Sequence, residues 1–240
     1  MSCSRFGVMA ISRVSKCDEK ISDDLQQLLL QTMRNESSVS CHHGPVEQAI
    51  DGRTARSLRT QRLIVDALLE LVRQGDPSPT VARIAEQAGV SDRLIYHHFE
   101  DGERLLEVAT ARQAELVTGR LRVVPTDGPL PARIRAFVAQ RSRVLEWITP
   151  VRRVALRHEP TSPRLRESRD KVLALASEEL ARTFADELAA LDAATRRTTL
   201  AALDAVTGWG AWDHWRSTGL TEAAARKAMA AAVTALLRAD

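Results

Sequence analysis

Two short amphipathic patterns at residues 81–99 are separated by only three residues, and this arrangement constrains the fold more than any other feature. The first pattern repeats small and aliphatic residues at helical spacing over two turns, between Thr80 and Gly89. Thr80 and Ser91 are residue types that cap helix amino termini, and Gly89 can adopt the positive φ that ends a helix. The spacing therefore predicts two short helices joined by a tight turn.

A longer helix is predicted upstream of this pair, between Arg53 and Gly75, because apolar residues recur there on one face: Ile64, Ala67, Leu68 and Leu71. Ala and Leu dominate the chain from residue 50 onward, and aromatic residues make up only 4%, which favours helices over strands. Further helices are predicted, with breaks at Pro150 and Gly219, at roughly 102–123, 130–148, 150–158, 164–189, 195–217 and 221–238. The predicted fold class is all-α, with about nine helices.

Residues 1–50 lack sustained periodicity and are predicted to be a disordered extension, with Met33 as an alternative start. No CxxC pair occurs among the three cysteines, which indicates a reducing compartment without a disulfide framework: Cys3, Cys17 and Cys41. Cys41, His42 and His43 are adjacent rather than spaced for one tetrahedral ion, so no metal site is predicted. Because no run approaches the roughly 18 apolar residues of a membrane span, the predicted location is cytoplasmic.

The second short helix carries more polar and aromatic residues than an inner face can hold. Val90, Ile95 and Phe99 are predicted to close a small core, which leaves the other side chains facing outward. In a helix-turn-helix, the second helix lies in the major groove and its outward residues contact base edges and phosphates. The candidate DNA contacts in this region are Thr80, Ser91, Arg93, Leu94, Tyr96, His97 and His98.

Positive charge in this region is local. Residues 53–104 contain eight arginines and eight Asp or Glu residues, so the region is not basic as a whole. Arg53, Arg56, Arg59 and Arg62 nevertheless form an acid-free run that leads into the first helix. This run predicts that Arg53 and Arg56 contact DNA phosphates from an amino-terminal arm.

The segment TVARIAEQAGVSDRLIYHHFEDGERLL, with RTQRLIVDALLELVRQG upstream, resembles the DNA-binding signature of the tetracycline-repressor-like (TetR) family of bacterial transcription regulators. The rest of the chain resembles that family only in its architecture. After the predicted extension at 1–50, the resemblance implies a helix-turn-helix domain at 51–101 and a helical effector-binding and dimerisation domain at 102–240. Family members usually carry a lysine where this chain has Gly102, between Asp101 and Glu103, so one phosphate contact is expected to be lost.

The resemblance also implies that the last two helices of each subunit form a dimer interface. Apolar residues recur there at helical spacing and can serve either this interface or the core of the chain itself: Leu203, Val206, Trp209, Trp212, Met229, Val233 and Leu236. An effector pocket is implied between the fourth and seventh helices. Its candidate residues can also be core or surface residues: Phe137, Arg141, Trp147, His158 and Phe184.

These features together predict a homodimeric, sequence-specific regulator, most simply a repressor that a small-molecule effector releases from an inverted-repeat operator on double-stranded DNA. The main alternative is a DNA-binding protein without an effector, controlled by a protein partner or by its abundance. An enzyme is disfavoured because the sequence has no HExxH, phosphate-loop or GxSxG motif, and no cofactor is predicted. The short helices can also form a purely structural subdomain whose tyrosine and histidines are ordinary surface residues. For Tyr96 alone, a further alternative is that it covers the edge of the core.

Overall fold

The computed structural model describes residues 52–122 and 124–238, and this part of the chain contains helices and loops but no strand. The predicted all-α fold class is confirmed. Its helices are α1 (Gly52–Arg73), α2 (Val81–Ala88), α3 (Asp92–His98), α4 (Gly102–Thr118), α5 (Leu130–His158), α6 (Pro163–Thr183), α7 (Ala185–Ala189), α8 (Ala193–Thr207), α9 (Trp209–Ser217) and α10 (Glu222–Arg238). None of these helices is long and apolar enough to cross a membrane.

Several predictions lie outside the described residues. They concern the disordered extension at 1–50, the alternative start at Met33, and the cysteines and paired histidines: Cys3, Cys17, Cys41, His42 and His43.

The described residues form two compact units. The amino-terminal unit contains residues 52–119 and 150–168, and the carboxy-terminal unit contains residues 120–149 and 169–238. The amino-terminal unit is larger than the helix-turn-helix alone, because it also includes α4 and a segment from much later in the chain. The division of the chain into domains at residues 50 and 101 stays a prediction.

The core of the amino-terminal unit is built on α1. Every residue of the predicted apolar face of α1 is buried: Ile64, Ala67, Leu68 and Leu71. Ile84 of α2 and Ile95 of α3 join this core, and Phe99 closes it just after α3, as the sequence predicted. Because burial of each such aliphatic or aromatic side chain contributes about 1.5–3 kcal/mol, packing against α1 fixes the positions of α2 and α3.

The core of the carboxy-terminal unit draws on most of its helices. Side chains with no or almost no exposed surface come from α5, α6, α8, α9 and α10: Phe137, Leu180, Leu203, Trp212 and Met229. Phe184, between α6 and α7, contacts Phe137 edge to face with ring centroids 5.3 Å apart. The aromatic residues of this unit thus serve first to fill its interior.

Helix α5 continues through Pro150, so the predicted break at that residue is wrong. A proline inside a helix removes one backbone hydrogen bond and costs roughly 3 kcal/mol. Leu145 before the proline and Val151 and Val154 after it are nevertheless buried in the two cores. Their burial offsets the local cost, because helices in proteins are stabilised mostly by packing of an apolar face.

The two long helices predicted on either side of residue 190 are each divided in two. Phe184 separates α6 from α7, and Gly208 separates α8 from α9. A Cβ atom at Gly208 would lie 2.9 Å from the carbonyl oxygen of Asp204, so glycine is required at this break. Helix α4 ends at Thr118 rather than near Val123.

Candidate nucleic-acid interface

Both ends of α2 are fixed by the residues that the sequence indicated. The Thr80 hydroxyl accepts a hydrogen bond from the Arg83 backbone N–H at 3.3 Å, which caps the first turn. Gly89 ends the helix with φ of 67°, in the left-handed region that glycine tolerates best. The next backbone N–H, of Val90, donates to the Ala85 carbonyl at 3.0 Å. The chain therefore turns sharply and enters α3 in a defined direction.

Helix α3 is short and is held from one side. The Ser91 hydroxyl accepts a hydrogen bond from the Leu94 backbone N–H at 3.3 Å. Ile95 is 2% exposed and Phe99 is 3% exposed, so both anchor the helix to the core. A seven-residue helix is too short to be stable on its own, and its orientation depends on these two anchors.

The opposite side of α3 is exposed. Arg93, Tyr96 and His97 are spaced i, i+3, i+4, which places them on one face of the helix, and all three are exposed. Tyr96 is 64% exposed, which is unusual for a large aromatic side chain in a folded domain. Arg93 makes no hydrogen bond or ion pair within the described part of the chain, so its guanidinium is available to a ligand.

The remaining candidates on α3 offer less surface. Leu94 and His98 are half-buried. The rings of His97 and His98 contact each other edge to face, with ring centroids 5.4 Å apart. Ser91 is exposed, but its hydroxyl oxygen already caps the helix. Among the predicted contact residues of α3, Arg93, Tyr96 and His97 therefore have the most exposed side chains that are available to bind DNA.

Arginines line the start of α1. Arg53 and Arg56 lie in the first turns of this helix and are exposed, as are Arg59 and Arg62. The first turn contains no acidic residue. The predicted arm is therefore helical rather than extended from Gly52 onward, and its charge adds to the positive end of the helix dipole.

Acidic groups surround the start of α4, where Gly102 stands. The Asp101 carboxylate accepts from the Arg104 backbone N–H at 2.7 Å and caps the helix. The Glu103 carboxylate, in the first turn, accepts from the Ser162 hydroxyl at 2.6 Å. Negative charge at a helix amino terminus opposes phosphate binding there. This arrangement gives a physical reason for the expected loss of one phosphate contact.

A segment late in the chain contacts the helix-turn-helix, and sequence reasoning missed it. The Arg157 guanidinium donates to the Pro77 carbonyl, 80 residues away, in the loop that precedes α2. Asp76 of the same loop pairs with Arg83 of α2 at 2.7 Å. The Arg157 bond thus connects residues 150–168 to the loop before α2, and the hydrogen bond from Ser162 to Glu103 connects them to the start of α4. Local sequence patterns carry no signal for such distant pairs.

Three of the five predicted pocket residues lie together, because the Phe137 ring contacts both the Arg141 guanidinium and the Phe184 ring. Phe137 and Phe184 are 1% and 0% exposed and belong to the core, whereas His158 is exposed and belongs to the amino-terminal unit, so the pocket assignment of these residues stays a prediction. Trp147 is half-buried, with the Arg120 guanidinium 4.7 Å from the centre of its ring. Arg141 is almost entirely enclosed, and this burial lowers the pKa of its guanidinium.

The predicted dimer residues divide into two groups. Four of them have no exposed surface in the single chain and therefore cannot be presented to a second copy, which corrects their assignment: Leu203, Trp212, Met229 and Val233. The other three, Val206, Trp209 and Leu236, are half-buried and keep some accessible surface. Helical spacing alone does not distinguish a core face from an interface face, and packing decides between them.

Likeness to known proteins is strongest around this interface. The family model described as "Bacterial regulatory proteins, tetR family" matches residues 64–109, from the middle of α1 into α4. The HTH-type transcriptional regulator BetI of Burkholderia mallei is 33% identical over 119 residues, 46% of this chain and 60% of the relative. BetI of Escherichia coli is 38% identical over 88 residues, 35% of this chain and 44% of the relative. The chain thus matches less than two thirds of the length of these relatives.

The fold likeness extends further along the chain. The crystal structure of a transcriptional regulator from Rhodococcus sp. Rha1 aligns with a TM-score of 0.59 at 22% sequence identity. The alignment covers 74% of this chain and 96% of that chain. The helical fold beyond α4 is therefore shared, although the sequence likeness is too low to transfer residue roles.

Proposed function

The chain belongs to the tetR family of bacterial regulatory proteins, and we propose that it is a homodimeric transcriptional repressor acting in the bacterial cytoplasm. Two copies bind one inverted-repeat operator, and a small molecule bound to the carboxy-terminal unit releases them. Release follows if the ligand binds better to a conformation in which the two α3 helices no longer match their half-sites.

The exposed face of α3 carries this proposal. Arg93, Tyr96 and His97 project from a helix whose two ends are capped and whose inner face is anchored by Ile95 and Phe99. The major groove of DNA is about 12 Å wide and admits one such helix. A guanidinium matches a guanine edge or a phosphate, and a phenol or an imidazole matches a phosphate or a base edge.

Dimerisation is supported by the surfaces of α8 and α10. Exposed alanines lie one turn apart on each helix: Ala201 and Ala205 on α8, Ala231 and Ala235 on α10. Small side chains allow two helices to pack at short axial distance. A two-fold dimer also presents two copies of α3 to two half-sites, which matches the symmetry of an inverted repeat.

The proposal is tested by selecting binding sites from random double-stranded DNA with the full chain. The selected site is then titrated at two salt concentrations, and the mass of the complex is measured by sedimentation. We expect one inverted repeat to be enriched and to bind two copies, with affinity falling as salt rises. Weak, salt-sensitive binding with no enriched sequence would refute sequence-specific regulation, and binding of a single copy would refute the dimer.

A regulator without a small-molecule effector is the second candidate. The observation in its favour is that Phe137 and Phe184, expected in a pocket, fill the core instead. Operator binding that no small molecule weakens, but that a protein from the same cell weakens, supports this second candidate.

A further inference from the structure

Polar groups from three helices meet inside the carboxy-terminal unit. The Nη2 atom of Arg141, on α5, donates to the Ala176 carbonyl of α6 at 3.0 Å and to the Glu179 carboxylate at 3.1 Å. The hydroxyl of Ser177, the next residue of α6, donates to Oδ2 of Asp204, on α8, at 2.8 Å. Arg141 and Asp204 therefore contact the same turn of α6 from two different helices.

Arg141 has unused hydrogen-bond donors. A guanidinium has five N–H groups, and Nη2 supplies only two of them. Among the described residues, neither Nε nor Nη1 of Arg141 has a hydrogen-bond partner, and neither atom is fully enclosed. Because the side chain is only 10% exposed, these donors keep only a small solvent-accessible surface. Donors on a buried charge are costly to leave unpaired.

The neighbours of Arg141 include one aromatic ring and two carboxylates, those of Glu179 and Asp204. The guanidinium carbon of Arg141 lies 4.9 Å from the centroid of the Phe137 ring, so the ring covers one face of the guanidinium. The Glu179 carboxylate is occupied, because its second oxygen accepts from the Gln140 amide at 2.8 Å. The other oxygen of Asp204, Oδ1, has no hydrogen-bond partner in the described part of the chain. Donors of Arg141 and one acceptor of Asp204 thus remain free, and the negative charge of Asp204 acts on the Arg141 guanidinium, where it opposes the lowering of the pKa by burial.

Charge selects the kind of molecule that fits. Arg141 is positive while Glu179 and Asp204 are negative, so a molecule with only a carboxylate is repelled by the excess negative charge. A molecule with only an amine satisfies Asp204 but leaves the donors of Arg141 unpaired. A molecule with both groups satisfies both ends without changing the net charge of the site.

We propose that Arg141 and Asp204 bind a small zwitterion of the free amino acid class. Its carboxylate accepts charge-assisted hydrogen bonds from the unpaired N–H groups of Arg141, and its ammonium donates to Oδ1 of Asp204. The proposal rests on the proposed function, because it names the chemical class of the effector. It also assigns Asp204, on α8, a role that the sequence did not indicate.

The direct test is calorimetric titration of the full chain, without DNA, with each of the protein-forming amino acids in turn. The best binder is then compared with two matched molecules, one lacking its amine and one lacking its carboxylate. We expect at least one amino acid to bind and both matched molecules to bind about tenfold or more weakly, since a charged hydrogen bond contributes roughly 1.5–3 kcal/mol. Absence of binding by every amino acid, or equal binding of a matched molecule, overturns the proposal.

A variant that keeps the packing provides the second test. Asp204→Asn keeps an oxygen that can accept from Ser177 but replaces the free oxygen with a donor, so amino acid affinity should fall about tenfold or more. The melting temperature should stay close to that of the wild type. Glu178→Gln, an exposed substitution on α6 with the same change of charge, is the control and should bind normally. Wild-type affinity in Asp204→Asn overturns the site.

The DNA experiments separate failure of this inference from failure of the proposed function. If the chain binds its operator but no amino acid, the proposed amino acid site is refuted, whereas the proposed function as a DNA-binding regulator is supported. If an amino acid binds with the expected dependence on Asp204 but leaves operator affinity unchanged, the amino acid site is supported. The proposed release from DNA by this effector is then refuted.

Discussion

The amino-terminal and carboxy-terminal units present their polar residues in opposite ways. On α3 the polar side chains lie on an outer face, and Tyr96 is 64% exposed. In the carboxy-terminal unit the corresponding groups lie between helices, and the Arg141 side chain is only 10% exposed. An exposed residue can be removed without disturbing the fold. Removing Arg141 would leave Glu179 without its cation, a change that typically costs 3–5 kcal/mol for a buried pair.

This contrast makes the two units separable in experiments. Tyr96 is the only tyrosine of the chain and lies on α3, whereas all four tryptophans lie in the carboxy-terminal unit: Trp147, Trp209, Trp212 and Trp215. Tryptophan fluorescence therefore follows the carboxy-terminal unit, while circular dichroism follows the helices of both. A substitution in one unit can be tested for its effect on the other.

The largest effect is expected from Tyr96→Ala. Loss of its contact should weaken binding to the selected operator about tenfold or more, because a hydrogen bond to a charged phosphate contributes roughly 1.5–3 kcal/mol. Melting followed by circular dichroism, which reports the helices of both units, should not change. Leu173→Ala, at a residue 52% exposed on α6, is the control and should bind DNA normally. Equal affinity of Tyr96→Ala and wild type would mean that Tyr96 merely covers the edge of the core.

The double substitution of Arg53 and Arg56 by alanine comes next. We expect weaker binding to every DNA sequence, and a salt dependence whose slope is lower by about 3.6, since each phosphate contact contributes roughly 0.9 and the two copies of the dimer together lose four contacts. The preferred sequence should not change, because phosphate contacts carry no direct sequence information. Arg135→Ala, an exposed arginine on α5, is the matched control. An unchanged slope would exclude phosphate contacts by the start of α1.

A pair of glycine substitutions compares the two units directly. Gly89→Ala should lower the free energy of unfolding by about 1 kcal/mol, because φ of 67° is unfavourable for a residue with a Cβ. Gly210→Ala, within α9 and with open space around its Cβ position, should raise it by about 0.5–1 kcal/mol.

Chemical denaturation, followed by tryptophan fluorescence and by circular dichroism, measures whether the free energy of unfolding falls in Gly89→Ala and rises in Gly210→Ala. If tryptophan fluorescence and circular dichroism shift together in Gly89→Ala, the two units unfold as one. Stabilisation by Gly89→Ala would contradict the turn geometry between α2 and α3.

Gly102→Lys tests whether the start of α4 lacks a phosphate contact, because it introduces the lysine that family members usually carry there. A Cβ atom at this position would have no heavy atom within 4 Å, so the fold should tolerate the substitution. Operator affinity should rise a few-fold at low salt, with a salt slope steeper by about 1.8, since each copy of the dimer gains one phosphate contact. Gly102→Gln, of similar length without the charge, should give no such change in slope. A lysine without effect would place the start of α4 away from the DNA backbone.

The smallest effect is expected at the start of α8. The Asp192 carboxylate accepts hydrogen bonds from Thr195 and from the Ala194 backbone N–H, and the Thr195 bonds are the main cause of its lowered pKa. A lowered pKa in the folded state stabilises the fold above the ordinary value of about 3.9, and this stabilisation disappears as the pH falls through the folded-state pKa.

Asp192→Ala should therefore melt below the wild type at pH 7, with a difference that narrows as the pH falls below about 4. DNA affinity should not change. A difference that is constant with pH would exclude the charge of Asp192 as the cause.

Local signals allowed the sequence to predict much of the amino-terminal unit. The caps at Thr80 and Ser91, the turn at Gly89 and the core residue Phe99 depend on neighbours within a few positions, and the structure confirms them. Helix existence in the carboxy-terminal unit was also predictable from apolar spacing. Pro150 shows the limit of this approach, because buried residues on both sides carry α5 through a residue that usually ends a helix.

Tertiary packing determined what the sequence did not indicate. Trp212 and Met229 have the spacing of an interface but fill the core, since nothing in a helical period states which helix a face will meet. The bond from Arg157 to the Pro77 carbonyl and the meeting of Arg141 with Asp204 on α6 join residues far apart in sequence. Such pairs follow from the fold as a whole and leave no periodic pattern.

The most direct test of the central claim is a parallel selection from random DNA with the wild type and with Arg93→Ala. Arg93 is exposed and is free of hydrogen bonds and ion pairs within the described part of the chain, so its loss should not affect folding. We predict that the wild type enriches one inverted repeat, and that Arg93→Ala loses the base preference at the same position of both half-sites. Enrichment of the same repeat with unchanged preferences by Arg93→Ala would contradict the claim that the exposed face of α3 reads the operator.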